Sequence, residues 1–222
     1  FLLASLSTTN KMAEICENIN ADWHEIIPAL KLDKRIGSHA YISPGLGVAG
    51  GNLERDLTTI RLLSKNKAID YDLFSAFNKI NTSRKSWVWK QLTKILQENV
   101  NPRIAILGLT YKENTHSLKN APSLELLPML EKHNVIVYDP VVEVKDRFIW
   151  CKHAKSIFEA IKNADILIIM TPWKEFKNLS LEMISKEMKG NVIIDPFNVF
   201  DRLEISKNKL ISFVIGSQTD EI

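Results

Sequence analysis

Apolar positions follow two regimes along the chain. From Phe1 to about Asn99 they recur at helical spacing, as in Met12, Ile15, Cys16 and Ile19, and again in Leu73, Phe77, Ile80, Trp87 and Leu92, the step that gathers side chains on one helix face. The first half is therefore predicted to be helical. Between Asp70 and Asn99 there is neither proline nor glycine, so a single helix of more than about seven turns is expected, linking domains or packing across a subunit interface. After Pro102 the period changes. Short continuous apolar runs appear at Ile104–Leu107, Val135–Tyr138, Ile166–Met170, Val192–Ile194 and Leu210–Ile215. Runs that are apolar on both faces and alternate with helical segments (Leu124–His133, Ile157–Ala164, Leu181–Met188) predict a parallel sheet covered by helices on both sides. The expected fold class is α/β: an all-helical region over residues 1–98 with one long connecting helix, then a parallel-sheet domain over 99–222.

In open α/β sheets, ligands bind beyond the carboxyl ends of the strands. This singles out Gly108–Thr115 after the first strand, Asp139-Pro140 after the second, Thr171–Phe176 after the third and Asp195–Asn198 after the fourth. Lys112, Asn114 and Thr115 could offer a cation and hydrogen bonds to a phosphate or sugar. Taken singly, each is an ordinary polar loop residue.

Gly45-Leu-Gly47-Val-Ala-Gly50-Gly51 holds four of the chain's eight glycines. Gly45, Gly47 and Gly50 match the Gly-x-Gly-x-x-Gly dinucleotide fingerprint, with Asp70 the expected ~20 residues downstream. That fingerprint works only between a buried strand and a helix, and Ser38–Pro44 contains no strand pattern, so the match is rejected. The loop could still bring backbone close to another ligand, or need glycine only for its turns.

Composition narrows the classes. Among the 222 residues, 45% are hydrophobic and 25% charged, with a net charge of +3, values typical of a globular domain and not of a disordered chain. Lys152, Lys155, Lys174 and Lys177 are interrupted by acidic and apolar residues, so a nucleic-acid partner is not expected. The two cysteines, Cys16 and Cys151, have no zinc or disulfide spacing, which suits a reducing cytoplasm, and no metal site is expected. No apolar run reaches the ~18–20 residues of a membrane span, and no signal peptide precedes the first helical pattern. Phe1 falls inside that pattern, so the N-terminus reads as a cut.

Taken in order, several segments resemble the UDP-glucose/GDP-mannose dehydrogenase family. Phe1-Leu2 with Asn10 and Cys16-Glu17 is similar to the family's Phe-Leu-Ala helix. Arg35-Ile-Gly37 and Pro44-Gly-Leu-Gly-Val-Ala-Gly-Gly-Asn-Leu-Glu-Arg-Asp56 resemble its glycine loop. Gly108–Thr115, Pro122-Ser123, Tyr138-Asp139-Pro140, Thr171-x-Trp173-x-x-Phe176 and Asp195-x-x-Asn198 continue the pattern to about Phe200. The resemblance implies a central helical domain that forms a homodimer and a Rossmann-like C-terminal domain that binds a UDP- or GDP-sugar. It also implies an N-terminal NAD domain, which, with a catalytic lysine and asparagine, would precede Phe1. The family oxidises the sugar C6 hydroxyl to a carboxylate with two NAD molecules through a cysteine thiohemiacetal.

An ungapped match places Asn52 at the family's nucleophilic cysteine and Asp56 at the aspartate that assists water. An amide is not a usable nucleophile, so the resemblance implies that the thioester route fails, leaving a single oxidation or binding alone. Ser5 stands for a basic residue, Ala49 for a loop glycine, Lys119 for an arginine near the cofactor and Phe197 for an arginine that reaches substrate. Because lysine does not replace arginine at bidentate phosphate sites, phosphate contacts are expected to be weakened or re-aimed. The retained substrate-binding matches are Arg35, Tyr41, Gly45, Gly47, Gly50, Lys112 and Asn198. The plain alternative for Tyr41 is a packed loop aromatic, and for Lys112 a solvated lysine. Three readings stay open: a nucleotide-sugar dehydrogenase part, a catalytically degenerate binding or scaffold module, and a helical dimerisation module joined to an unrelated flavodoxin-like domain.

Overall fold

The computed structural model describes residues 1–97 and 101–218. The chain divides into two compact units, one made of Phe1–Trp87 with residues 215–218 and the other running Val88–Val214. The boundary expected between residues 98 and 99 lies outside the described residues.

The first unit is helical. Helix α1 (Leu2–Ile19) buries Leu6, Thr9, Asn10, Ala13 and Cys16, a continuous stripe at helical spacing, and stops at Asn20 in the left-handed conformation (φ 59°). Of the predicted stripe only Cys16 faces inward; Met12, Ile15 and Ile19 are 39–65% exposed. The helix is as expected but its inward face is partly polar, because Asn10 is needed inside as a hydrogen-bond acceptor. Helix α2 (Trp23–Leu32) is capped by Asp22, whose carboxylate accepts the His24 amide at 2.7 Å. Helices α3 (Asn52–Asn66) and α4 (Asp72–Lys85) complete the unit. The single long helix expected over 70–99 is instead two, α4 and α5 (Trp87–Leu96), interrupted at Ser86. The Ser86 hydroxyl donates to the Ser83 carbonyl at 2.9 Å and competes with the helical ladder there.

The second unit is built on strands β1 (Arg103–Leu107), β2 (Asn134–Tyr138), β3 (Lys152–His153), β4 (Ile166–Ile169), β5 (Val192–Ile194) and β6 (Ile211–Phe213). They form one six-stranded sheet in the order β3-β2-β1-β4-β5-β6, every pair parallel. Ile104, Ile106, Leu107 and Ile166–Ile169 are almost fully buried, as a sheet covered on both faces requires. Five strands were expected. The sixth, β3, is a two-residue edge strand of polar sequence with no apolar run to betray it. Helices α6 (Pro122–Leu126), α7 (Ile157–Ile161), α8 (Lys174–Lys177), α9 (Leu181–Glu187) and α10 (Arg202–Lys207) connect the strands. After α6 the chain tightens to a 3-10 turn over Leu127–Leu130, where Pro128 lacks the amide that an α-helix would use.

Candidate functional site

The strand order reverses direction between β1 and β4, and a crevice opens at the carboxyl ends of such a pair. Gly108 leaves β1 at φ +95°, and a Cβ there would stand 2.5 Å from both Cβ and N of Thr171, two residues beyond the end of β4. Only glycine lets the two chain segments approach so closely at this point. Residues 108–121 then form a long loop before α6, in place of the tight turn and immediate helix N-terminus that cradles a dinucleotide pyrophosphate. An anion here must be met by loop side chains, and Lys112 is exposed on that loop, its ammonium 5.6 Å from the Tyr111 ring centroid. Lys119, further along the loop, is also exposed.

Asp139 lies under this loop. Its carboxylate accepts the amides of Leu109 (2.7 Å) and Thr110 (3.3 Å), those of Val141 (3.0 Å) and Val142 (3.2 Å), and the Trp173 indole N–H (3.2 Å). Ser123 and Thr171 donate their hydroxyls to the carbonyls of Leu109 and Thr110, each at 2.6 Å. Next to Asp139, burial and the nearby Glu175 and Asp139 charges push the Tyr138 hydroxyl above its usual range. Burial pushes the Glu175 carboxyl above the usual range as well, the neighbouring Tyr138 hydroxyl opposes this and the Asp139 charge adds to it.

Beyond β5, Asp195 is wholly buried and organises the next loop, accepting the amides of Phe197 (3.2 Å), Val199 (2.5 Å) and Phe200 (3.1 Å). Burial pushes its pKa up to about 6 even though these amides pull it down. Asn198 sits in this loop at φ 51°, with its side-chain Oδ1 buried and without a partner.

The remaining candidates belong to the helical unit. Asn10 accepts the Gly45 amide at 2.9 Å, and Asn81 accepts the Val48 amide. Leu46 and Val48 are buried between. The Gly45 and Val48 amides are thus turned inward and taken, and no strand occurs over residues 38–44, so the loop does not fit a dinucleotide pyrophosphate. It delivers Gly50 (φ 83°) and Gly51 to the start of α3. Asn52 is exposed in the first turn of α3, and Asp56 lies one turn on, also exposed, with Arg55 3.4 Å away. Arg35 folds back on Asp33, Nη2 to Oδ2 at 2.6 Å. That bond holds the carboxyl below its usual range and the guanidinium above its own. Tyr41 is 53% exposed, and its carbonyl accepts the Ser5 hydroxyl at 2.8 Å. Arg35, Tyr41, Gly45, Gly47, Gly50, Asn52 and Asp56 therefore share one unit, while Lys112, Lys119 and Asn198 belong to the other. Asp139 and Trp173 lie in segments singled out beyond the strands and Asn10 in the helix motif, but none of the three was assigned a role, and Asn81 carries no local signal at all, because their hydrogen-bond partners are remote in sequence.

Among the described residues no group of three His, Cys, Asp or Glu is placed to hold a metal ion, and no helix is long and apolar enough to cross a membrane.

A helical unit and a doubly wound parallel sheet with its switch point between β1 and β4 define a Rossmann-type α/β protein class. Two models of one family match the chain: the UDP-glucose/GDP-mannose dehydrogenase family central domain over residues 1–83, and the same family's UDP binding domain over 105–202. The chain belongs to this family. It is 32% identical over 225 residues to UDP-glucose 6-dehydrogenase of Rickettsia prowazekii (strain Madrid E), covering 98% of this chain and 52% of that protein. It is 28% identical to UDP-glucose 6-dehydrogenase TuaD of Bacillus subtilis (strain 168), covering 97% of this chain and 48% of that one. Among solved structures, the UDP-D-ManNAc dehydrogenase of Pyrococcus horikoshii superimposes with a TM-score of 0.80 at 26% identity, over 96% of this chain and 49% of that chain. The chain spans about half the length of the curated relatives it matches.

Proposed function

We propose that this chain is the nucleotide-sugar-binding part of an NAD-dependent UDP-glucose/GDP-mannose dehydrogenase-type protein that acts at sugar C6 in the cytoplasm. The observation that carries this reading is the β1/β4 switch point within the segment matched by the UDP binding domain. Lys112 would meet the diphosphate and Asn198 would offer its unpartnered carboxamide oxygen to a ligand hydroxyl or N–H. Arg35, Tyr41 and the Gly45–Gly50 loop would contact the sugar or base. NAD, which supplies hydride acceptance when bound, would be held mainly by residues outside this chain, with Lys119 at its edge. Exposed Met12, Ile15, Leu62, Leu63 and Leu73 offer apolar surface for a homodimer through the helical unit; a monomer in light scattering would count against that.

A second reading rests on Asn52. The resemblance puts it at the family's cysteine position, and a carboxamide cannot form the covalent adduct that a second oxidation needs. Asp56, beside it on α3, would then have no thioester to hydrolyse. On that reading the protein is a catalytically degenerate module, a nucleotide-sugar-binding part or a dimeric scaffold, that does not reach the carboxylate.

Isothermal titration of the chain with UDP-glucose, UDP, GDP-mannose and NAD tests both. Binding of a nucleotide sugar but not NAD is the expected result. No binding of any of the four would overturn the nucleotide-sugar reading of this crevice and leave the scaffold role.

A further inference from the structure

One carboxylate accepting five donors is more than a turn needs. An aspartate that ends a strand ordinarily caps its own loop, as Asp139 does with Val141 and Val142. Its other oxygen reaches out of that loop to the Leu109 and Thr110 amides beyond β1 and to the Trp173 indole beyond β4. The segments on either side of the switch point are therefore tied to one side chain. The carbonyls of Leu109 and Thr110 are taken as well, by Ser123 and Thr171. With both peptide groups satisfied inward and both residues wholly buried, the base of the loop has one orientation. The Thr110 hydroxyl extends that order by a further step, donating to the Lys112 carbonyl at 2.9 Å. A continuous path of hydrogen bonds thus runs from Asp139 through Thr110 to the backbone of Lys112.

We propose that Asp139 is the positioning residue of the nucleotide crevice, holding the backbone of Lys112 where its ammonium meets the ligand's diphosphate. The inference rests on the nucleotide-sugar reading of this crevice and adds to it the group that sets the geometry. Asp139 itself does not touch the ligand. A carboxylate suits the task because it is acceptor-only and can serve several amide donors at once, whereas an asparagine turns an NH2 group toward some of them. The long flexible lysine side chain recognises phosphate as a point charge, so its benefit depends on where its backbone is held.

The test is a double-mutant cycle read by calorimetric titration of UDP into the chain, with Asp139→Asn, Lys112→Ala and the two combined. Each single change is expected to weaken UDP binding about tenfold, as loss of one charge-assisted contact does. The combined change is expected to be no weaker than either alone, because both remove the same contact. A positioning role also predicts a shift in tryptophan emission for Asp139→Asn that is absent when Trp173→Phe is present, with the thermal midpoint still showing a folded protein. If Asp139→Asn does not fold, Trp173→Phe, which removes only the indole donor, enters the cycle in its place. Multiplying losses in the combined variant would overturn the positioning role while leaving the nucleotide reading intact. Failure of the unaltered chain to bind UDP would overturn both.

Discussion

Asn81 occupies the space that a side chain at Gly47 would need. Its Oδ1 lies 2.5 Å from the position of a Cβ on Gly47, which stands at φ +82°, and the same oxygen accepts the Val48 amide. The glycine and the asparagine are thus one device: the missing Cβ lets the carboxamide in, and the carboxamide fixes the loop.

Gly47→Ala is expected to cost roughly 2–4 kcal/mol, combining left-handed backbone strain with overpacking. Asn81→Ala strands the buried Val48 amide and is expected to cost about 1–3 kcal/mol. Urea unfolding midpoints check both. A neutral Gly47→Ala would mean that the loop relaxes freely.

Glu17 gathers the Arg84 guanidinium (2.9 Å), the Gly216 amide (2.9 Å) and the Trp87 indole (3.3 Å). The Arg84 side chain is only 3% exposed. Glu17→Ala leaves that buried charge with only the more distant Glu14 carboxylate, 3.9 Å away, as a counter-ion, a loss of up to about 3–5 kcal/mol. Arg84→Met should cost less, since it leaves Glu17, 17% exposed, as the surviving charge. Equal losses from the two would contradict this account.

Stability should depend on pH through Asp195. Its folded pKa of about 6 is above the ordinary 3.8, so the native state holds a proton that the unfolded chain releases. The group's contribution is most favourable below the unfolded value and declines as pH rises to about 6, by about 3 kcal/mol in all. Asp195→Asn removes the titration, so the variant's stability relative to the unaltered chain should rise between pH 4 and pH 7. Denaturant titrations across that range would show a constant difference if burial does not govern this carboxyl.

Asn52→Cys would put a thiol at the exposed start of the fifteen-residue helix α3, where the helix N-terminus lowers thiol pKa. Burial pushes both native thiols up, Cys151 to about 12. Iodoacetamide at pH 7 followed by mass spectrometry is expected to label only the introduced position. Labelling of Cys16 or Cys151 at a comparable rate would contradict the burial argument.

Much of the architecture could be read in advance from period. Strands β1, β2, β4, β5 and β6 fall on the five continuous apolar runs, because a strand covered on both faces must be apolar at every step. The division into a helical and an α/β region follows from the change of period after Pro102. Local pattern did not extend to Ser86, where a side-chain hydroxyl bonding to Ser83 interrupts an otherwise unbroken helical stretch. Nor did it reveal the buried face of α1, since an asparagine that is satisfied inside reads as polar in sequence.

The chain's own sequence determined the family, the class of fold and the loops beyond which a ligand would sit, because hydrophobic period and ordered motifs are properties of neighbours in sequence. Tertiary structure alone decided that Asp139 joins loops from β1, β2 and β4, that Asn10 and Asn81 hold the glycine loop, and that Gly216 returns to Glu17. Each of these is a hydrogen bond between residues far apart along the chain. Such partners are chosen by where the backbone brings an unsatisfied donor, not by what surrounds it in sequence.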